Sequence, residues 1–356
     1  MRALLLCVLA LLAACAAAPS TRSLGHGELL YPAAVGSLPH EALHGTRHTV
    51  VLMVAEHSEA VVAAAAQQVR NQGLQLGYWF EIGRDVALAN AHPEWVASLQ
   101  GHDEWRLEHV VQTVGVGEVV QAWPWVPVAY AEAFAAHRER VRARLAALPP
   151  ADFVLLNDLQ GPPAACGCGN LLCRWATDYT LGGRAPVRSA TPLGADAAAR
   201  FVQEVQAMVP QSRVIPVWVT ECEEADTVAD GACHGVGCYR GACWREFDKQ
   251  WAPLRAAAPQ VGLLLPYCAF RRDLPRFGAE AGWVSFAIEH LRTRERERHA
   301  RELPGSALLA VVEGWSADAD VAAQLAQARA AGVTDVLVAR SPIEQSFVPR
   351  VRRANR

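Results

Sequence analysis

The chain of 356 residues is almost without lysine: Lys249 is its single one, and arginine supplies the rest of the positive charge. With a net charge of -3 the sequence offers no basic surface of the kind nucleic acid requires, so a nucleic-acid partner is not expected. No apolar run is long enough to cross a bilayer, which excludes an integral membrane fold built on helices. No Gly-x-Gly-x-x-Gly turn follows an early strand, which removes the usual mark of a dinucleotide site, and no His-x-His pair occurs.

What is present at the N-terminus is an export signal. Arg2 precedes a short apolar run, Ala3 to Leu12, that ends in small residues, so residues 1–18 read as a signal peptide. Within it Leu12-Ala13-Ala14-Cys15 resembles the bacterial lipobox, which implies lipidation of Cys15 and a membrane-anchored protein facing the periplasm or cell exterior. The other reading is cleavage near Ala16 to Ala18 with Cys15 discarded.

The body is 52% apolar over the whole chain and alternates strand-like with helix-like runs. Strands are expected at Thr49–Ala55, Leu74–Ile82, Val119–Val128, Phe153–Leu156, Val214–Thr220, Val261–Leu265, Ala307–Val312 and Val333–Ala339, with helical runs between them. Eight such repeats predict a (β/α)8 barrel spanning 48–345, with long cysteine-rich loops after strands 4 and 5. The segment 19–47 reads as a tether or a cover for the barrel floor, and 346–356 as a solvated basic tail.

In such barrels the C-terminal ends of the strands converge on one pocket. Glu56, Glu81, Asp158, Glu221 and Glu313 all fall at strand ends. Glycoside cleavage asks for two carboxyl groups across a pocket, one protonated to assist the leaving oxygen and one ionised as nucleophile or base. Aromatic faces stack on the apolar faces of sugar rings, and Tyr78, Trp79, Trp123, Trp125, Trp218, Tyr267 and Trp315 lie in or just after the expected strands. Alternation along a strand means that Tyr78 and Trp79 cannot both face inward. Catalytic candidates are therefore Asp158, Glu313, Glu221 and Glu81; Trp79, Trp125, Asn157, Tyr267 and Trp315 are candidates for contacting a glycan.

Eight of the ten cysteines, Cys166, Cys168, Cys173, Cys222, Cys233, Cys238, Cys243 and Cys268, fall in the loops after strands four, five and six. Cys166-Gly167-Cys168 followed by Cys173 resembles the cluster after strand four in bacterial glycoside-hydrolase-like barrels, including family 42 β-galactosidases, with four residues rather than two before the last cysteine. The resemblance implies a glycosidase barrel in which Asn157-Asp158 holds the acid/base place and Glu313 the nucleophile place, Asp158 being one methylene shorter than the glutamate usual there. It also implies zinc on Cys166, Cys168 and Cys173. An even number of cysteines in an exported chain implies disulfides instead, and that reading is preferred, with no cofactor.

Three function classes follow. One is a glycoside hydrolase using paired carboxylates; a second is a catalytically inert lipoprotein that binds glycans on the same rim; a third is a metal-dependent hydrolase built on Glu56, His57, Asp158 and Glu221.

Overall fold

The computed structural model describes residues 23–37, 49–55, 57–83, 85–92, 95, 110–112, 118–121, 126–159, 193–194, 196–219, 251–265, 282–315, 320–341, 343 and 351–353. In chain order the elements are β1 His26–Leu30, β2 Thr49–Met53, α1 Glu59–Asn71, β3 Gln75–Glu81, α2 Val86–Ala91, β4 Val110–Gln112, β5 Glu118–Gln121, α3 Ala131–Ala147, β6 Phe153–Asn157, α4 Ala197–Met208, β7 Arg213–Val219, β8 Val261–Leu265, α5 Trp283–His299, β9 Leu308–Glu313, α6 Val321–Ala330, β10 Asp335–Ala339 and β11 Val351–Arg353. Residues 251–257 form a further helical stretch before β8.

Eight strands close into a parallel barrel in the order β1, β10, β9, β8, β7, β6, β3, β2. The fold is a (β/α)8 barrel. Following the register from Gln75 through Thr49, Gly27, Leu337, Val311, Leu264 and Val219 and on across β6 returns to β3 at Gly83, eight residues further on. That stagger is the one this barrel type requires, and it fixes the tilt of every strand.

Three expectations need correction. The segment 19–47 is not only a tether or floor cover, because His26–Leu30 is the first barrel strand, hydrogen-bonded to β10 and β2. The expected strand at Val119–Val128 is not in the barrel; Glu118–Gln121 instead joins a separate antiparallel sheet with β4 and β11. Pro124 and Pro127 lack the N–H groups a central ladder needs, and β1 already completes the ring. Val351–Arg353 thereby pairs with β5, so the basic tail is not wholly a free end.

Side chains divide by strand alternation into two cores. Inside the barrel are Leu29, Val51, Met53, Trp79, Phe153, Leu155, Ile215, Val217, Leu264, Val311 and Leu337, all at most 4% exposed. Outside, the strands meet the helices through residues such as Tyr78, Phe80, Leu156, Trp218 and Val312. Helix α1 buries Val62, Ala65, Ala66 and Val69, the i, i+3, i+4, i+7 stripe of an amphipathic helix, and stops where Gly73 takes a positive φ of 71°. Helix α6 starts on Asp320, whose carboxylate accepts from the Ala323 N–H at 2.9 Å.

A polar network occupies the N-terminal end of the barrel. The Gln260 amide donates to Asp335 at 2.8 Å and accepts from Arg213 at 3.2 Å, while the Gln75 side-chain amide lies 2.8 Å from the Thr49 hydroxyl. Leu24, wholly buried, caps the interior there, and Ser23 and the Gly25 N–H both donate to Asp335.

Candidate functional site at the barrel mouth

The C-terminal ends of the strands form the other face. β9 is the fourth neighbour of β3 in either direction around the ring, so the two strands stand opposite each other. The eight-residue stagger, halved over four strands, sets Glu313 level with Glu81. Both share the inward alternation of Trp79 and Val311, and both are 2% exposed. Two carboxylates thus stand across the top layer of the barrel.

Glu81 is held from two sides. The Trp79 indole N–H donates to one carboxylate oxygen at 2.7 Å, and the Asn157 amide donates to the other at 2.8 Å. Asn157 is the register partner of Glu81 on β6, so the contact follows from the ladder itself. An acceptor-only carboxylate satisfies both donors. Asp158 follows immediately, buried, with a φ of 59° in the left-handed region that Asp tolerates better than most residues. Its carbonyl accepts from the Gly83 N–H at 3.1 Å, tying the turn after β6 to the turn after β3.

Glu313 is fixed through its backbone. The Gln324 side chain accepts from the Glu313 N–H at 3.2 Å and donates to the Glu313 carbonyl at 2.9 Å, bridging α6 to the end of β9. Trp315 packs half-buried on the interior cluster, as does Tyr31 just after β1. The Tyr31 ring lies 5.4 Å from that of His57, at the end of β2.

Helix α3 braces the loops after β2 and β3. Arg140 donates to the Glu81 carbonyl at 2.8 Å and pairs with Asp85 at 3.0 Å. One turn on, Arg144 donates to the carbonyls of Val54 and His57. Between the elements His137 is fully buried, its Nε2 bonded to the Val126 carbonyl at 2.8 Å and its Nδ1 facing Arg140 at 3.4 Å. Nε2–H donating and Nδ1 accepting is the neutral ring. Burial, reinforced by the Arg140 charge, holds the His137 pKa down to about 3.

Of the sequence candidates, the structure brings Glu81, Asn157, Trp79, Glu313, Asp158 and Trp315 to this end of the barrel. Glu221, Trp125, Tyr267, Cys15 and the eight loop cysteines, including Cys166, Cys168 and Cys173, lie outside the described residues. Tyr78 and Trp218 face outward: the Tyr78 hydroxyl donates to the Pro149 carbonyl at 2.8 Å, and burial pushes its pKa up. Trp218 packs edge to face on Trp251. Sequence reasoning missed Tyr31 because the strand before it was not recognised, and it missed Arg140 and His137 because a charged, Ala-rich helix carries no local sign of what lies beyond its face.

Glu81→Gln is nearly isosteric, yet the new amide turns its NH₂ toward either the Trp79 or the Asn157 donor. A stability loss of about 1–3 kcal/mol is expected, read by urea unfolding at neutral pH. His137 gives a pH signature: the unfolded chain binds a proton near pH 6.5 that the folded chain refuses down to about 3, so its stabilising contribution is full above pH 6.5 and is lost as pH falls toward 3. Between pH 7 and 5 the parent should lose about 2 kcal/mol that His137→Gln does not lose, measured as the difference between their unfolding free energies.

No protein-family model matches the chain, and no curated protein does. Among solved structures it is similar to the alpha-galactosidase of Thermus thermophilus in complex with stachyose, at 13% identity and a TM-score of 0.31 over 56% of this chain and 40% of that one. The same enzyme in complex with p-nitrophenyl alpha-D-galactopyranoside gives 13% identity and a TM-score of 0.43 over 90% of this chain and 59% of that one. The chain spans less than two thirds of the length of either structure, and its assignment as a (β/α)8 barrel rests on its own strand order and register.

Proposed function

We propose that the protein is an exported, lipid-anchored carbohydrate-active barrel that cleaves glycosidic bonds at the mouth between β3 and β9. The observation that carries this reading is the pair of buried, inward carboxylates Glu81 and Glu313 on opposed strands at one height, with Asn157-Asp158 beside them. Glu313 acts as nucleophile or base. Asp158 is the proton donor, and Glu81 orients Asn157 toward the sugar. Trp315 contacts the glycan, with Trp79 beneath it; Glu221, Trp125 and Tyr267, candidates from the sequence for the same site, lie outside the described residues. The likeness of the strand-four region to family 42 enzymes belongs to the same proposal.

The second reading, a glycan-binding lipoprotein without turnover, draws support from Glu81, whose two oxygens are already engaged by Trp79 and Asn157. For the metal-dependent reading, Glu56 and Glu221 lie outside the described residues, and among the described residues no three His, Cys, Asp or Glu side chains gather as an ion site.

Purified mature protein should hydrolyse at least one member of a polysaccharide and aryl-glycoside panel. Asp158→Asn and Glu313→Gln should each lower that turnover by about 10²- to 10⁴-fold while the glycan affinity holds. Full activity in both variants would refute the assignment. Glycan binding by a parent without turnover would establish the second reading.

A further inference from the structure

The two ends of the barrel are chemically different, and the chain enters at one of them. Ser23 and Leu24, the first described residues, sit at the N-terminal end: Leu24 caps the interior, its carbonyl accepts from the Thr49 hydroxyl at 2.7 Å, and Ser23 and the Gly25 N–H bond to Asp335 at the start of β10. Glu81 and Glu313 end their strands at the opposite face. The floor contact is not a loose one, since it joins the entering segment to three barrel strands through Thr49, Asp335 and the β1 ladder.

Cys15 stands eight peptide steps before Ser23, a path of at most about 28 Å when fully extended. A folded chain of this size is about 50 Å across. A lipid on Cys15 therefore cannot reach round the body of the protein to bring the mouth onto the bilayer.

We propose that the floor of the barrel faces the anchoring membrane and the mouth faces away from it, so that the substrate is a glycan held off that membrane and not the headgroup of a glycolipid within it. This rests on the lipoprotein and carbohydrate readings above. Orientation is then a property of the tether length and of the floor network, and it excludes headgroup sugars by geometry without any contact to them.

The test uses the lipidated full chain, purified from producing cells and reconstituted in phosphatidylethanolamine and phosphatidylglycerol vesicles that carry a headgroup-linked fluorescence acceptor. A fluorescent amino acid is placed at exposed Gln211, in the turn before β7 at the floor, or at exposed Ser58, after β2 at the mouth. The ends of the strands are about 20 Å apart, so energy transfer from position 211 should exceed that from position 58 by about twofold or more. Equal or inverted transfer in a lipidated chain would overturn the orientation and leave the anchor standing. Mass spectrometry of the same preparation separates the other failure: an N-terminus without lipid would overturn the anchor and the orientation together.

Discussion

Closure of the barrel through β1 is the constraint on which everything else depends. An open seven-stranded sheet would leave β2 and β10 as edges with unpaired N–H and C=O groups, and would not fix their heights. The five residues of β1 supply both ladders at once. Gly27 makes this possible: a Cβ there would lie 3.0 Å from the Leu337 side chain and 3.0 Å from the Thr49 carbonyl, closer than nearly all real contacts. The polar network around Asp335, Gln260, Arg213 and Thr49 then holds the entering chain against the floor.

Once the ring is closed, its stagger decides what faces what at the mouth. Glu81 and Glu313 meet at one height because three strands lie between them in each direction, not because either loop bends to bring them together. Buried carboxylates are costly unless they are hydrogen-bonded. Glu81 meets that cost with Trp79 and Asn157, one from its own strand and one from its ladder partner. Support comes also from outside the barrel, where Arg140 and Gln324 pin the backbones of Glu81 and Glu313 from α3 and α6. Rigid placement of this kind is what carboxylate chemistry at a barrel mouth requires.

Much of this was legible in the sequence. β-branched apolar runs ending in an acidic residue located β3, β6 and β9, and alternation correctly required that Tyr78 and Trp79 not both face inward; only the structure shows that Trp79 is the inner one. The repeat count of eight was right for a partly wrong reason: Val119–Val128 was included, and His26–Leu30 was not. A five-residue strand begun by His26, Gly27 and Glu28 has little apolar signal of its own and is a strand only because two neighbours pair with it. Likewise nothing local marks Arg140 or His137, whose roles arise from the packing of α3 against the loops after β2 and β3. The hydrogen bond from Asn157 to Glu81 was not visible either, since it depends on the register between β3 and β6.

The most direct measurement is a crystal structure of the mature chain soaked with the oligosaccharide it binds best. A sugar ring between Glu81 and Glu313, with Asn157 within hydrogen-bond reach of a hydroxyl, is the expected result. The working carboxyl pair would then be read as retaining at about 5–5.5 Å or inverting at about 6.5–9.5 Å. A sugar bound elsewhere on the surface, with the space between Glu81 and Glu313 filled by the protein's own side chains, would contradict a carbohydrate site at the barrel mouth.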